Sequence, residues 1–475
     1  VQLVRAKLGV HDVDALRTAI AEEKLRTLPG LGATSEQKIA KAIERLGLKH
    51  GEKRTPLYRA MRVADQLVAE LRDLKEVVDA VPCGSLRRHR ETVGDLDIVV
   101  ASTSPGPIMD WFAEHPLAAQ VVAKGETKTS IVTRYGLQVD LRVVAPDQLG
   151  AATLYFTGSK DHNIRLRQRA MQRGWTLNEY ALTHAESGEI IASVDEASIY
   201  DALELPYIEP PMREDTGEIE AAADGSLPTT LQADDLLGDL HVHTDRSGDG
   251  RSSLVDMVSE AERRGYAYLA ITDHAENLPI NGVSRDELLR QADEMAELQE
   301  RFPSVRLLKG CELNIDRDGG LDYDDEFRST LDWCIAAVHS HYGLPQAKQT
   351  ERLIQAIQDP AVRVIGHLTG RMIGARPGID IDVDAVLEAL VAHGVALEVN
   401  AALPRMDAAA PVLRRAMAKG VTFVVSTDSH HVREMAKRAP YGARLAQRGW
   451  VDKARIANTW SQERFLGWLA EARAN

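Results

Sequence analysis

Cysteine is scarce in this chain: Cys83, Cys311 and Cys334 are the only three in 475 residues. They stand too far apart for a disulfide framework or a zinc ribbon, so a reducing, cytoplasmic setting is expected. Long apolar runs are also missing. No stretch reaches the ~18 consecutive apolar residues of a membrane helix, and no signal peptide is visible, so no membrane partner is expected. Nor is there an excess of cations. The formal net charge is -14, the wrong sign for a uniformly basic nucleic-acid surface. What remains is a chain with 44% hydrophobic residues, long enough for several globular cores.

The most informative stretch runs from Gly84 to Val100, GSLRRHRETVGDLDIVV. Its end, Leu96-Asp97-Ile98-Val99-Val100, reads as a strand entered by two aspartates one residue apart. Alternate side chains share a face of a strand, so Asp95 and Asp97 project to the same side. Carboxylates that close repel unless a cation lies between them. Oxygen-only ligands suit Mg2+ or Mn2+, ions that commonly share their coordination with substrate phosphates. Asp140, in the later apolar run from Leu137 to Val144, supplies a third acid for a two-metal phosphoryl-transfer site. Upstream, a Gly-Ser turn offers backbone N–H groups to an anion, and the arginines after it add bidentate charge.

This arrangement resembles the nucleotidyltransferase fold, most closely the palm of the family X DNA polymerases. The resemblance implies that Gly84, Ser85 and Arg88 hold an incoming triphosphate, while Asp95, Asp97 and Asp140 are catalytic and bind Mg2+ or Mn2+. Arg54, upstream of Gly84, matches another arginine that approaches the triphosphate. The run Leu154-Tyr155-Phe156-Thr157-Gly158-Ser159-Lys160 resembles the family's YFTGS hinge between palm and thumb. By that likeness Tyr155, Phe156 and Gly158 serve the nucleotide sugar, Asn163 lies in the helix over the new base pair, and Arg167, one turn on, faces DNA. Near the start, Leu28-Pro29-Gly30-Leu31-Gly32, followed by Lys38 and Lys41, resembles a helix-hairpin-helix. There Gly30 and Gly32 would let the backbone approach a DNA phosphate. Family members normally open with a lyase domain and a first hairpin. This sequence begins inside what looks like the helix after that hairpin, so a truncated N-terminus is expected and lyase chemistry is assigned to no residue.

From Gly238 onward the polar residues change character. Histidines and carboxylates recur at the ends of apolar runs: His241 and His243, Asp249, His274, Glu312, His339, His367, then Asp428 and His430. Amphipathic stretches of helix length lie between them, at 254–264, 287–301, 351–358 and 383–393. Strand and helix alternating about seven times predict a closed parallel barrel, whose active site forms at the C-terminal ends of the strands. His-x-His on a strand puts two imidazoles on one face, and mixed His and carboxylate ligands suit Mn2+, Zn2+ or Fe2+.

That pattern resembles the polymerase and histidinol phosphatase (PHP) domain, a distorted barrel holding up to three ions. The likeness implies one metal on His241, His243, Glu312 and Asp428, a second on Glu312, His339 and His367, and a third on Asp249, His274 and His430. Every one of these positions carries a suitable ligand, which predicts a working nuclease. His341, His393 and His431 fall outside the pattern. Arg405, after another strand end, could contact phosphate, but a surface arginine is the stronger reading.

The expected fold class is multidomain α/β. It comprises a helix-hairpin-helix fingers remnant (1–52), a nucleotidyltransferase palm (53–150), a small α+β thumb (151–208), a Pro-, Gly- and acid-rich linker (209–236) and a distorted (β/α)7 PHP barrel (237–475). Charge divides accordingly: residues 1–200 hold 27 Lys+Arg against 26 Asp+Glu, the rest 30 against 45. DNA must then be met through local clusters such as Arg87-Arg88-His89-Arg90 and Arg165, Arg167 and Arg169, with weak, strongly salt-dependent binding. The resemblance implies a monomeric DNA polymerase of the cytoplasm and nucleoid, filling gaps in base-excision repair. Its substrates would be gapped or primer-template DNA and deoxynucleoside triphosphates. The barrel, with Mn2+ or Zn2+, would add 3'-5' exonuclease, apurinic-site and 3'-end-processing activity. Two rivals stay open: a nucleotidyltransferase acting on a non-DNA acceptor, and a polymerase whose barrel is only a scaffold.

Overall fold

The computed structural model describes residues 54–474 throughout and, before them, residues 7–8, 10, 13–28, 31–33, 35–37 and 39–40. The chain divides into two compact units, Val1–Arg54 and Thr55–Asn475. In the first, the helix Val13–Ala21 leads into a helical turn at Leu25–Thr27. Val10, Ala19 and Leu25 form a small buried core. Arg26 donates from Nε to the buried Glu36 at 2.8 Å. The Gly32 carbonyl accepts from the N–H groups of Ser35 and Glu36, which opens a further helical turn. Gly30, Lys38 and Lys41 lie outside the described residues.

The second unit opens with β1 (Thr55–Pro56), β2 (Asp79–Pro82), β3 (Thr92–Val93), β4 (Asp95–Ala101), β5 (Ala118–Lys124), β6 (Lys128–Thr133) and β7 (Gln138–Val144). β1 and β3 form a short ribbon, and the other five make one sheet in the order β2-β4-β7-β6-β5. β4 and β7 run parallel at its centre, so they are covered on both faces and read as nearly continuous apolar runs. Ile98 and Val100 face the helix Leu57–Arg72, whose buried Leu57, Ala60, Ala64, Leu67 and Leu71 recur at helical spacing. Val99 packs the other way with Ala152 of the helix Leu149–Thr157.

The thumb adds the antiparallel strands β8 (Trp175–Leu177), β9 (Leu182–His184) and β10 (Ile190–Ala192) beside the helices Lys160–Met171 and Glu196–Ala202. Its core runs past residue 208: Met212, Ile219 and Ala222 share a cluster with Leu166 and Tyr200. Residues 209–236, expected as a linker, contain the turn Pro210–Met212 and the helix Glu218–Asp224. Polar anchors hold this segment alongside a few apolar residues too short in run to stand out, which is why composition concealed it. Glu218 is fully buried and accepts from His162 Nδ1 at 2.7 Å and from the Asp215 N–H at 2.8 Å. Arg213, also fully buried, donates to Glu196 Oε1 at 2.6 Å and to Ile208 O at 2.8 Å.

Glu196 also meets Arg87 Nη2 at 2.5 Å. Burial disfavours its ionisation, yet Arg213 and Arg87 hold its carboxyl at about 2, below the ordinary 4.5. A depressed carboxylate contributes stability above its unfolded value and loses it as pH falls toward the folded one. Glu196→Ala is expected to cost about 3–5 kcal/mol near neutral pH, because Arg213 stays buried without its counter-ion. Thermal melts across the acid range check this. The wild type should lose stability between those two pKa values, and the variant should lack that portion of the loss.

The barrel strands are β11 (Gly238–Val242), β12 (Tyr268–Ile271), β13 (Arg306–Asn314), β14 (Trp333–Ala337), β15 (Val362–Ile365), β16 (Ala396–Asn400) and β17 (Phe423–Ser426). They pair in parallel in sequence order, with helices Leu254–Arg263, Arg285–Arg301, Gln346–Ile357, Val383–His393 and Ala410–Lys419 among the connections. The first and last strands approach through a parallel bridge between Val242 and Ser429, where the His243 N–H donates to Ser429 O at 2.8 Å. Beside the strand starts, Phe465 of the helix Gln462–Ala474 stacks on Tyr268 with ring centroids 4.3 Å apart. The opposite mouth, at the strand ends, is left to the polar residues.

Candidate metal centres

β4 carries Asp95 at its exposed start and Asp97 two residues on, and the parallel register sets Asp140 of β7 directly beside Asp97. The three acids picked out in the sequence are brought together. Gly84 backs them: it has φ +61, and a Cβ there would lie 2.3 Å from Asp97 Oδ2. The Cys83 N–H ties the turn to β4 by donating to Asp97 O at 2.7 Å. Burial, with Asp95 and Asp140 adding repulsion, pushes the Asp97 carboxyl up to about 7. For Asp140 burial is outweighed by hydrogen bonds from Lys128, Gln138 and Ser130, which hold it below the usual carboxylate range. Lys128 Nζ lies 2.7 Å from Asp140 Oδ2. Lys128 and Ser130 come from β6, where no local motif marks them.

Ser85 follows Gly84 in the short helix Gly84–Arg87 and is half-buried. Arg88, next after that helix, donates from Nη1 to Thr157 O at 2.6 Å and from Nε to Glu214 Oε1 at 3.0 Å. Its charge is felt at Asp97. Gly158, at φ +68, ends the hinge helix so close to Arg88 that a Cβ would lie 3.2 Å from Nη1. Tyr155, Asn163 and Arg167 line one cleft with Leu177 and Asn178, and Asn163 Nδ2 donates to Tyr155 O at 2.7 Å. Phe156 departs from this group. It packs with Cys83, Val99 and Val144, with the Arg142 guanidinium 4.8 Å from its ring centroid. Arg54 belongs to the first unit.

At the barrel mouth five imidazoles converge on Glu312. Its Oε2 lies 3.4 Å from His241 Nε2, 3.5 Å from His243 Nε2 and 2.8 Å from His274 Nδ1. Its Oε1 lies 3.1 Å from His339 Nε2 and 2.8 Å from His367 Nε2. Asp428 Oδ1 stands 3.5 Å from His243 Nε2, while Asp249 Oδ2 is 3.5 Å from both His274 Nε2 and His430 Nε2. Three overlapping donor groups have atoms within 4.8 Å of one another: His241, His243 and Asp428; His274, Glu312 and His339; His243, His274 and His430. Glu312, expected to bridge the first two sets, also meets His274 of the third, which reaches Asp249 as well.

These residues fit divalent cations. His241 Nε2, His243 Nε2, His339 Nε2 and Glu312 Oε2 are buried without a hydrogen-bond partner, a condition rare for polar atoms unless something else satisfies them. Burial, with His274 and His430 adding positive charge, holds His243 down at about 3. It is therefore the neutral imidazole that ligates metals.

Several supporting residues escaped the sequence reading. Glu398, fully buried on β16, accepts from His241 Nδ1 at 2.7 Å, and Asn314 Oδ1 lies 2.8 Å from His339 Nδ1. Such outer partners fix the ring orientation and leave Nε2 free for a cation. The available signal was an acid inside the apolar run Ala396-Leu397-Glu398-Val399. Arg405 corrects an expectation: its Nε lies 3.4 Å from Asp428 Oδ2, and Nη1 is buried without a partner. His431 caps the helix Val432–Arg448 through Nδ1, which accepts from the Arg433 N–H.

Fold and site define a nucleotidyltransferase palm and thumb joined to a metal-binding PHP barrel. Comparison with known proteins agrees. Residues 152–214 match the family model of the DNA polymerase beta thumb, and residues 239–402 that of the PHP domain. The chain is 37% identical over 458 residues to the DNA polymerase/3'-5' exonuclease PolX of Bacillus subtilis, covering 96% of this chain and 79% of that protein. The barrel half also matches proteins named as probable phosphatases. One, from Vibrio atlanticus, is 28% identical over 245 residues, 50% of this chain and 94% of that protein. Another, from Caldanaerobacter subterraneus, is 30% identical over 205 residues, 41% of this chain and 76% of that protein. The chain belongs to the PolX family, the bacterial family X DNA polymerases that carry a PHP domain. Among the described residues, no helix is long and apolar enough to cross a membrane.

Proposed function

We propose that the chain fills short DNA gaps in base-excision repair and trims 3' ends with its barrel, acting as a monomer in the cytoplasm and at the nucleoid. The observation that carries the polymerase reading is the pairing of Asp97 with Asp140 beside Gly84. Mg2+ or Mn2+ at Asp95, Asp97 and Asp140, and Mn2+ or Zn2+ at the barrel histidines, supply the charge neutralisation and water activation that phosphoryl transfer and hydrolysis need. The chain's own groups do the positioning. The Gly84 and Ser85 turn and Arg88 hold the triphosphate, Tyr155 and Gly158 shape the sugar pocket, and Asn163 and Arg167 meet the base pair and the DNA. At Gly32 the backbone approaches a DNA phosphate. In the barrel, Glu398 and Asn314 aim their histidines, and Arg405 offers its unpartnered guanidinium arm to the substrate phosphate.

The test is one incubation of the full chain with Mn2+ and a labelled primer in a one-nucleotide gap. Extension should require nucleotides, and loss of a 3' label should not. An intact label with metal bound would reduce the barrel to a scaffold, and labelling of a non-DNA acceptor without primer extension would favour the rival transferase. The phosphatase relatives support a second barrel activity, removal of a 3'-phosphate, read out as a blocked primer becoming extendable.

Two consequences follow for variants and metal. Gly84→Ala is expected to lower primer extension by roughly 10²-fold through displacement of Asp97, with cleavage of single strands unchanged. Removing divalent ions with a chelator should lower the melting temperature, and Mn2+ should restore it, because an ion that binds only the folded state adds about 2.7 kcal/mol at a hundred times its dissociation constant.

A further inference from the structure

One helix touches both centres. Val432–Arg448 begins directly after Asp428 and His430, and the His430 N–H donates to its Glu434 at 2.9 Å. Its 17 residues span about 25 Å at 1.5 Å per residue. The last of them, Arg448, ends against the palm turn, donating from Nη1 to Arg88 O at 3.0 Å and to Glu214 Oε1 at 2.9 Å. Glu214 accepts from Arg88 Nε at 3.0 Å on that same oxygen and from Arg90 Nη1 at 3.1 Å on the other. Three guanidiniums therefore share one carboxylate that is only 16% exposed. Arg88 is fixed from a second side by Thr157 O, and its Nη2 makes no hydrogen bond among the described residues.

We propose that Glu214, anchored by Arg448 of the barrel helix, is a positioning residue for the polymerase. It sets the plane of the Arg88 guanidinium so that the remaining N–H groups face the incoming triphosphate. The inference rests on the reading that Arg88 binds that triphosphate. An arginine held in place before its ligand arrives loses no further freedom on binding. Without the carboxylate, Arg88, Arg90 and Arg448 repel one another and the arm splays. Triphosphate affinity then depends on a helix that belongs to the nuclease barrel.

Gap filling by the full chain at varied deoxynucleotide concentration tests this. Glu214→Gln should raise KM for the nucleotide roughly tenfold with kcat within about twofold, the split expected when binding shared equally by ground state and transition state is lost. Its exonuclease rate, unchanged, reports that the variant is folded. Arg448→Met should raise KM in the same direction by less, again sparing the exonuclease, and Glu214→Asp should fall between wild type and Glu214→Gln. Arg88→Ala should raise KM on its own, and adding Glu214→Gln to it should raise KM no further. An unchanged or lowered KM in Glu214→Gln would overturn the proposal, and so would a full further rise in the Arg88→Ala background. If Arg88→Ala itself leaves KM unchanged, the triphosphate role of Arg88 fails first and the positioning role falls with it.

Discussion

Glu312→Gln is expected to reduce phosphodiester cleavage by roughly 10³-fold or more while gap filling stays within about twofold. Glu312 is the group on which His241, His243, His274, His339 and His367 converge, with contacts between 2.8 Å and 3.5 Å. An amide of the same size keeps the packing of β13 but turns an N–H donor toward imidazole nitrogens that need a cation or a carboxylate. The negative charge that a divalent cation would need there is lost at the same step. Cleavage of a 3'-labelled oligonucleotide in Mn2+, with metal content measured alongside, checks both parts. Cleavage at the wild-type rate would remove Glu312 from the centre.

Asp97→Asn is expected to do the reverse, lowering primer extension by roughly 10³-fold and sparing cleavage. Asp97 lies between Asp95, its register partner Asp140 and the Gly84 backbone, so a neutral amide cannot hold cations there as a carboxylate does. The same substitution carries a second, opposite signature. Burial and like charge raise the Asp97 carboxyl to about 7, which means that the ionised side chain destabilises the ion-free fold above that pH. The neutral amide removes this repulsion, so in chelator above neutral pH the variant should melt higher than the wild type, a trade of stability for function seen at many active sites. Loss of both activities in either variant would show that the two centres are not separable.

Much of this was legible in the sequence because its signals are local. Asp95 and Asp97 announce themselves by their spacing on one strand, and each barrel histidine by its place at the end of an apolar run. What escaped depends on contacts between distant residues. Lys128 reaches Asp140 from the neighbouring strand, and Glu398 reaches His241 across the barrel, 157 positions away. Arg405 looked like a surface residue because nothing near it in sequence shows that Asp428 lies beneath it. The segment 209–236 misled for the same reason. Its Pro, Gly and acidic residues suggested a linker, whereas Arg213 and Glu218 are buried by partners at Glu196 and His162. Phe156 shares a motif with Tyr155 but points to the palm, since adjacent residues on a helix face different ways.

Two separate cation sites, one of oxygens and one rich in imidazole, are proposed to act on nucleic-acid phosphorus in one chain. Anomalous diffraction from Mn2+-soaked crystals of the full chain with gapped DNA and a non-hydrolysable triphosphate tests this proposal most directly. Peaks are predicted between Asp95, Asp97 and Asp140 next to the triphosphate, and among His241, His243, Glu312, His339, His367 and Asp428. A barrel without a peak, or palm acids without metal while the triphosphate lies elsewhere, would contradict it.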